Sequence, residues 1–288
     1  MRVLALLSLT LFLGCASTPP PIVGARAASF DGVEIAYDAR GDGDTALVFV
    51  HGWCCERWQW DQAMDAFGDE HRVISIDLAG HGDSGDGREA WSMESFGRDV
   101  EAVVVALDLD QVILIGHSMG GPVALAAAAR IPERVVGVIG VDTLHDADMK
   151  FGPEMIDPFV AALEADFDGT LNRFIDSALP DWLDAELRKK VVVDAISVGQ
   201  EIGTAIVSSY KDYDPAAFFE ACPCPLVCIN AAKPNVTAAE HNRAYIEDFE
   251  YTLVEDVGHF LMLEQPNEFR VLLGAAITRV QKLAKARE

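Results

Sequence analysis

Three things are scarce in this chain of 288 residues. The first is positive charge: 22 lysines and arginines face 46 aspartates and glutamates, a formal net charge of −24. Such a field repels polyphosphate backbones and anionic bilayer surfaces, which excludes nucleic acid and acidic membranes as partners. Cysteine is the second, with six at positions 15, 54, 55, 222, 224 and 228. They do not make a disulfide framework. Adjacent Cys54 and Cys55 could close only a strained vicinal bridge. Cys222 and Cys224 precede a strand whereas Cys54 and Cys55 follow one, which puts the two pairs at opposite ends of a parallel sheet. A metal site is not expected either, because the spacing lacks a second ligand pair, and nothing in the sequence calls for a cofactor. Long apolar runs are the third scarcity. The N-terminal stretch VLALLSLTLFL has eleven residues, short of the roughly 20 that span a bilayer.

That stretch follows Arg2 and suits the core of a secretory signal. Gly14-Cys15 and the polar ASTPPP after it resemble the lipobox of bacterial lipoproteins. The resemblance implies removal of residues 1–14, acylation of Cys15 as the first mature residue, and a tether over 15–26. An exported protein held at the cell envelope by its lipid is then expected, with no other membrane contact. Plain secretion, with Cys15 lost or idle, is the alternative.

Half of the residues are hydrophobic, enough for one sizeable core. Residues 27–40 alternate like an antiparallel strand pair. Short β-branched runs at 46–52, 72–80, 111–118, 134–142, 225–230 and 250–259 have the composition of strands covered on both faces. Helical patterns lie between them, at 57–67, 92–107, 119–130, 238–247 and 266–285. This alternation predicts a mostly parallel, doubly wound α/β sheet. Residues 143–221 contain no convincing strand and read as successive amphipathic helices. They are expected as an all-helical cap inserted between core segments 27–142 and 222–288.

Gly116-His117-Ser118-Met119-Gly120 is a G-x-S-x-G sequence entered by the apolar run VILI and left by GGPVALAAAARI. Glycines there permit a tight strand-to-helix turn that lifts the Ser118 hydroxyl clear and aims a helix N-terminus at a developing oxyanion. A serine hydroxyl is a poor nucleophile at neutral pH and needs a base that then protonates the leaving group. His259, in VGHFLMLEQP, is the candidate. Of the other histidines, His51 and His81 sit in HG turns and His117 lies inside the elbow, while His71, His145 and His241 read as surface or loop residues.

With FVHGW (49–53), DLAGHGDS (77–84), GHSMGG (116–121) and DVGHFLMLEQP (256–266) in this order, the chain resembles the α/β-hydrolase fold family over about residues 27–285. The resemblance implies an oxyanion hole made by the backbone N–H groups of Met119 and Trp53. Trp53, Trp58 and Met119 could also line an acyl pocket, although Trp58 and Trp60 serve equally well as packing for the helix near 57. Relatives often keep the third catalytic group after the penultimate strand. Here that loop reads AAKPNV, with no Asp or Glu. Asp142, at the end of the preceding strand, is the carboxylate expected to orient His259, with Asp146 and Asp148 as fallbacks. The reading is a serine hydrolase acting on a small or medium carboxylic ester, thioester or lactone, its partner a small acyl compound. C–C bond hydrolases, haloperoxidase-like members of the same fold and a catalytically silent binding protein are the alternatives.

Overall fold

The computed structural model describes residues 20–287, so the expected signal segment and Cys15 lie outside the described residues. Eight strands form one sheet in the order β1-β2-β4-β3-β5-β6-β7-β8. The strands are β1 (Ile22–Ala28), β2 (Glu34–Arg40), β3 (Ala46–Val50), β4 (Arg72–Ile76), β5 (Val112–His117), β6 (Val135–Val141), β7 (Leu226–Ala231) and β8 (Phe249–Val254). Pairing is antiparallel from β1 to β2 and from β2 to β4, and parallel from β4 through β8. β1 begins inside the stretch expected as tether. Gly24 takes a left-handed φ of +64° there and the register slips between Ile22 and Ala25, so the period-two pattern that marks a strand is absent from that end.

The central strands carry apolar side chains on both faces because helices cover both. Every residue of β3, β5 and β7 is buried. The helices of the core are α1 (Asp61–Phe67), α2 (Met93–Ala106) and α3 (Gly120–Arg130), with three more late in the chain. Inside the long insertion lie α4 (Pro153–Ala165), α5 (Phe167–Ala178), α6 (Ala185–Ser197), α7 (Gln200–Ser209) and α8 (Pro215–Ala221). α9 (Ala239–Tyr245), α10 (Leu261–Glu264) and α11 (Pro266–Arg287) complete the chain. α8 packs beside α3 and α9 on the flank of the sheet, whereas α4 to α7 reach the loops after β3 and β8, as described below. Among the described residues, no single helix is long and apolar enough to cross a membrane.

Register places the functional loops. Val50 pairs with Gly116, His117 with Val141, and Val141 with Ile229. The chain therefore leaves β3, β5, β6 and β7 at one level, and residues 51–53, 118–119, 142 and 231 emerge side by side. The order of strands reverses at β3, with β4 on one side and β5 on the other, where open α/β sheets form their crevice.

Two buried imidazoles tie the loop after β3 to the loop after β4. His51 Nε2 accepts from the Leu78 N–H at 2.9 Å, so its proton sits on Nδ1, which donates to the Gly52 carbonyl at 2.7 Å. His81 Nε2 accepts from the Cys54 N–H at 3.2 Å and its Nδ1 donates to the Ala79 carbonyl at 3.0 Å. Each ring thus serves as one donor and one acceptor, which only the neutral form can do. Burial drives both pKa values down, to about 4 for His51 and about 3 for His81. In the unfolded chain both rings titrate near pH 6.5. The native state therefore resists proton uptake that the unfolded state accepts, and stability present above pH 6.5 is lost as pH falls. By pH 4 the loss amounts to about 3 kcal/mol per ring. Half-buried Glu56, its pKa raised by burial to about 7, opposes this loss, so the rings themselves are the readout. NMR titration should find neither protonated between pH 7 and 5, and protonation of either ring in that range would contradict the assignment.

Candidate active site

The turn after β5 is shaped by close backbone approach. A Cβ on Gly116 would lie 2.1 Å from the Gly120 carbonyl oxygen, and one on Gly120 would lie 2.4 Å from that of Val50. Only glycine fits either place, and so β5 can turn straight into α3. Ser118, between them, is driven to a left-handed φ of +51°. A non-glycine residue held there costs about 1–3 kcal/mol and persists only when its surroundings over-determine it. They do: the Ser118 N–H donates to the Val141 carbonyl at 3.1 Å, and its carbonyl accepts from Gly121 N–H at 3.0 Å and Thr143 Oγ1 at 2.7 Å.

Asp142 leaves β6 beside this turn, also at a left-handed φ, +45°. Its Oδ2 lies 2.6 Å from His259 Nδ1, and its Oδ1 accepts from the Ala231 N–H at 2.9 Å. A carboxylate acceptor puts the imidazole proton on Nδ1 and leaves Nε2 with its lone pair. The end of β7 thus contributes a backbone donor to Asp142 where a carboxylate side chain was sought. Asn235 is exposed. Asp146 and Asp148 turn toward His241, with oxygens 2.9 and 3.5 Å from its Nδ1. These last three residues are also the ones whose ligand atoms, all within 4.8 Å of one another, could hold a cation. They lie at the surface and bond one another.

His259 is brought to the elbow by its backbone. The ring of His117, the residue before Ser118, donates from Nε2 to the His259 carbonyl at 2.8 Å, and the two ring centroids are 4.6 Å apart. The His259 N–H donates to the Ala178 carbonyl of α5 at 2.8 Å. Buried Glu264 accepts from Gly258 N–H through Oε2 at 2.5 Å and from Phe260 N–H through Oε1 at 2.8 Å. Burial raises the Glu264 pKa, while these two amide donors, with His259 nearby, oppose the rise. One carboxylate thus grips the chain on both sides of His259. Sequence reading passed over Glu264; an acid five residues after His259, closing the short apolar run FLML, was its only trace.

The loop after β3 presses on the same turn. A Cβ on Gly52 would sit 3.1 Å from Ser118 Cβ. The amide N–H groups of Trp53 and Met119 have no acceptor among the described residues. Above them the Trp53 indole donates from Nε1 to the Gly203 carbonyl of α7 at 3.0 Å and packs edge-on to Phe159 and Phe174, each with centroids 5.7 Å away. Trp58 bonds Asp194 of α6 at 2.7 Å, and Trp60 is fully buried against Phe49. Cys54 and Cys55 are buried free thiols in this loop, their pKa values pushed up by burial.

The sequence profile of the Alpha/beta hydrolase family matches residues 47–271. The chain belongs to that family. Among similar proteins, the pimeloyl-[acyl-carrier protein] methyl ester esterase of Yersinia enterocolitica is 33% identical over 147 residues, 49% of this chain and 55% of that protein. The non-heme chloroperoxidase of Streptomyces lividans is 36% identical over 145 residues, 47% of this chain and 52% of that protein. The chain thus spans about half the length of these two relatives. A thermophilic esterase from Thermogutta terrifontis superposes with a TM-score of 0.77 at 23% identity, covering 89% of this chain and 98% of the other. That likeness is one of fold.

The grip of Glu264 can be measured. Replacing it with glutamine turns an N–H toward one of the two loop amides, and Glu264→Gln should lower the unfolding free energy by about 1–3 kcal/mol in urea denaturation. Equal denaturation midpoints for the two proteins would show that the clamp carries no stability.

Proposed function

We propose that this hydrolase is a serine enzyme cleaving small or medium carboxylic esters, with thioesters and lactones as chemical equivalents, through an acyl-enzyme. The observation that carries this reading is the 2.6 Å contact between Asp142 and His259, next to a serine held at a strained elbow. Nε2 of His259 takes the Ser118 Oγ proton as the oxygen attacks the substrate carbonyl carbon. The oxyanion that forms faces the Trp53 and Met119 N–H groups, donors kept in place before reaction and therefore costing no reorganisation. His259 then hands its proton to the departing alcohol, Asp142 stabilising the imidazolium meanwhile. Water, deprotonated by the same nitrogen, releases the acid. Family members with an aspartate nucleophile are disfavoured by Ser118 itself. A haloperoxidase-like or C–C bond hydrolase would use the same three residues and differ in substrate. The similarity to a chloroperoxidase keeps the haloperoxidase-like reading as the second one.

With p-nitrophenyl acetate as substrate, Ser118→Ala should abolish turnover and fluorophosphonate labelling. Asp142→Asn, which removes the charge but keeps the shape, should lower kcat on the order of 10⁴-fold, and Asn235→Ala should change it little. Loss of activity in Asn235→Ala with retention in Asp142→Asn would overturn the assignment. Absence of any labelling would favour a silent binding protein.

The roof over the serine suggests a size limit. The apolar crevice beside Trp53, lined by Leu171, Phe174, Ile175 and Phe260, holds only about 10 Å³, far below the 300–1,000 Å³ of most ligand pockets. Acetate and butyrate esters should exceed decanoate in kcat/KM by about tenfold or more, as when a chain outgrows its pocket by 1–3 kcal/mol. Phe174→Ala should narrow that ratio. An unchanged chain-length profile in this variant would remove the pocket from consideration.

A further inference from the structure

Asp142 has a second imidazole beside it. His145, three residues on in the loop after β6, brings Nε2 to 3.6 Å from Asp142 Oδ1. The surrounding hydrogen bonds fix which nitrogen of this ring carries the proton. Asn230 Oδ1 accepts from the Thr143 N–H at 3.1 Å, which sets the orientation of the amide. Its Nδ2 then donates to Thr237 Oγ1 at 3.0 Å and faces His145 Nδ1 at 3.3 Å. Nδ1 is therefore an acceptor, and in the neutral ring the proton sits on Nε2, turned to Asp142. That nitrogen is buried and has no hydrogen-bond partner among the described residues. Its 3.6 Å to Oδ1 is too long for a hydrogen bond, yet an N–H dipole so close to a buried carboxylate acts on it strongly, because little water intervenes.

The loop backbone is fixed independently. The His145 carbonyl accepts from Ala238 N–H at 2.7 Å and from Asn242 Nδ2 at 3.3 Å, which holds the backbone beneath the ring. The titratable groups whose charge acts on the ring are Asp142 and His259. β7 brings the uncharged Asn230 to the ring, itself bonded to Thr237. Asp146, the next residue, is bonded to His241. Burial lowers the His145 pKa and keeps the ring neutral, although Asp142 opposes this.

We infer that His145, oriented by Asn230, is a positioning residue for Asp142, adding a third N–H to those of Ala231 and His259 and holding Oδ2 toward His259. The inference rests on Asp142 orienting His259 as proposed above. A donor at Oδ1 draws charge from the carboxylate, and less charge is left to stabilise the His259 imidazolium. With the donor removed, the protonated form of His259 is favoured and the enzyme loses its base at a higher pH.

The test compares wild type with His145→Phe, which keeps a ring but no donor, His145→Gln, whose amide can restore an N–H near the place of Nε2, and Asn230→Leu, which frees the ring. The acidic limb of kcat/KM for p-nitrophenyl acetate should move up by about half a pH unit in His145→Phe and Asn230→Leu and return toward wild type in His145→Gln. Limbs that superpose in all four proteins would overturn the inference, even if kcat differs among them. So would an equal displacement in all three variants, which marks altered loop packing rather than a donor. NMR titration of the His259 ring in the same proteins gives the same comparison without turnover. If no ester is cleaved, the functional reading fails, and the NMR titration still decides the role of His145.

Discussion

One buried contact organises the region around Ser118: the 2.6 Å approach of Asp142 Oδ2 to His259 Nδ1. A carboxylate shielded from water is costly unless its lone pairs are met, and here each oxygen faces an N–H, one from His259 and one from Ala231. The groups that meet it come from distant parts of the chain, with sequence separations of 117 and 89 residues. They converge because parallel pairing aligns the ends of β5, β6 and β7 at one level. Sheet register thus does the long-range positioning, and the loops need only make local turns.

Those turns carry strain and are compensated by neutral histidines. Cys54, Ser118, Asp142 and Leu144 all have left-handed backbone angles, and all lie in the loops after β3, β5 and β6. Around them His51, His81 and His117 are buried and uncharged, each using a ring nitrogen to hold a neighbouring loop. An imidazole suits this work because it offers one donor and one acceptor at fixed angles on a flat, mostly apolar body. Further out, Arg57 pairs with Asp77, Asp38 and Asp83, and Arg88 with Asp99 and Asp31. These fix the loop after β4 that the two HG histidines bond.

Much of the architecture could be read from residue order. Strands β3 to β7 are runs of β-branched residues covered on both faces, and such runs stand out without any periodicity. The serine turn was legible because glycine spacing there answers to hard contacts of about 2 Å. Less visible was whatever depends on contacts across the sheet. His145 read as a loop residue, and nothing local in LHDAD tells that its ring faces Asp142. Asn230 read only as the end of an apolar strand. Glu264 looked like an ordinary helix residue because its partners are backbone amides, which carry no sequence signal. The first strand began five residues early because a glycine and a register slip erase alternation at Ile22.

The helical roof is stitched to the chemistry beneath it. The Ala178 carbonyl of α5 holds the His259 N–H, and the Gly203 carbonyl of α7 holds the Trp53 indole. Neither helix can lift away without unfastening His259 or the loop that carries Trp53. A hinged lid that swings wide to admit its guest would dismantle the machinery it covers. Under the proposed function, an ester bound for Ser118 would then pass between the helices rather than beneath a raised cover.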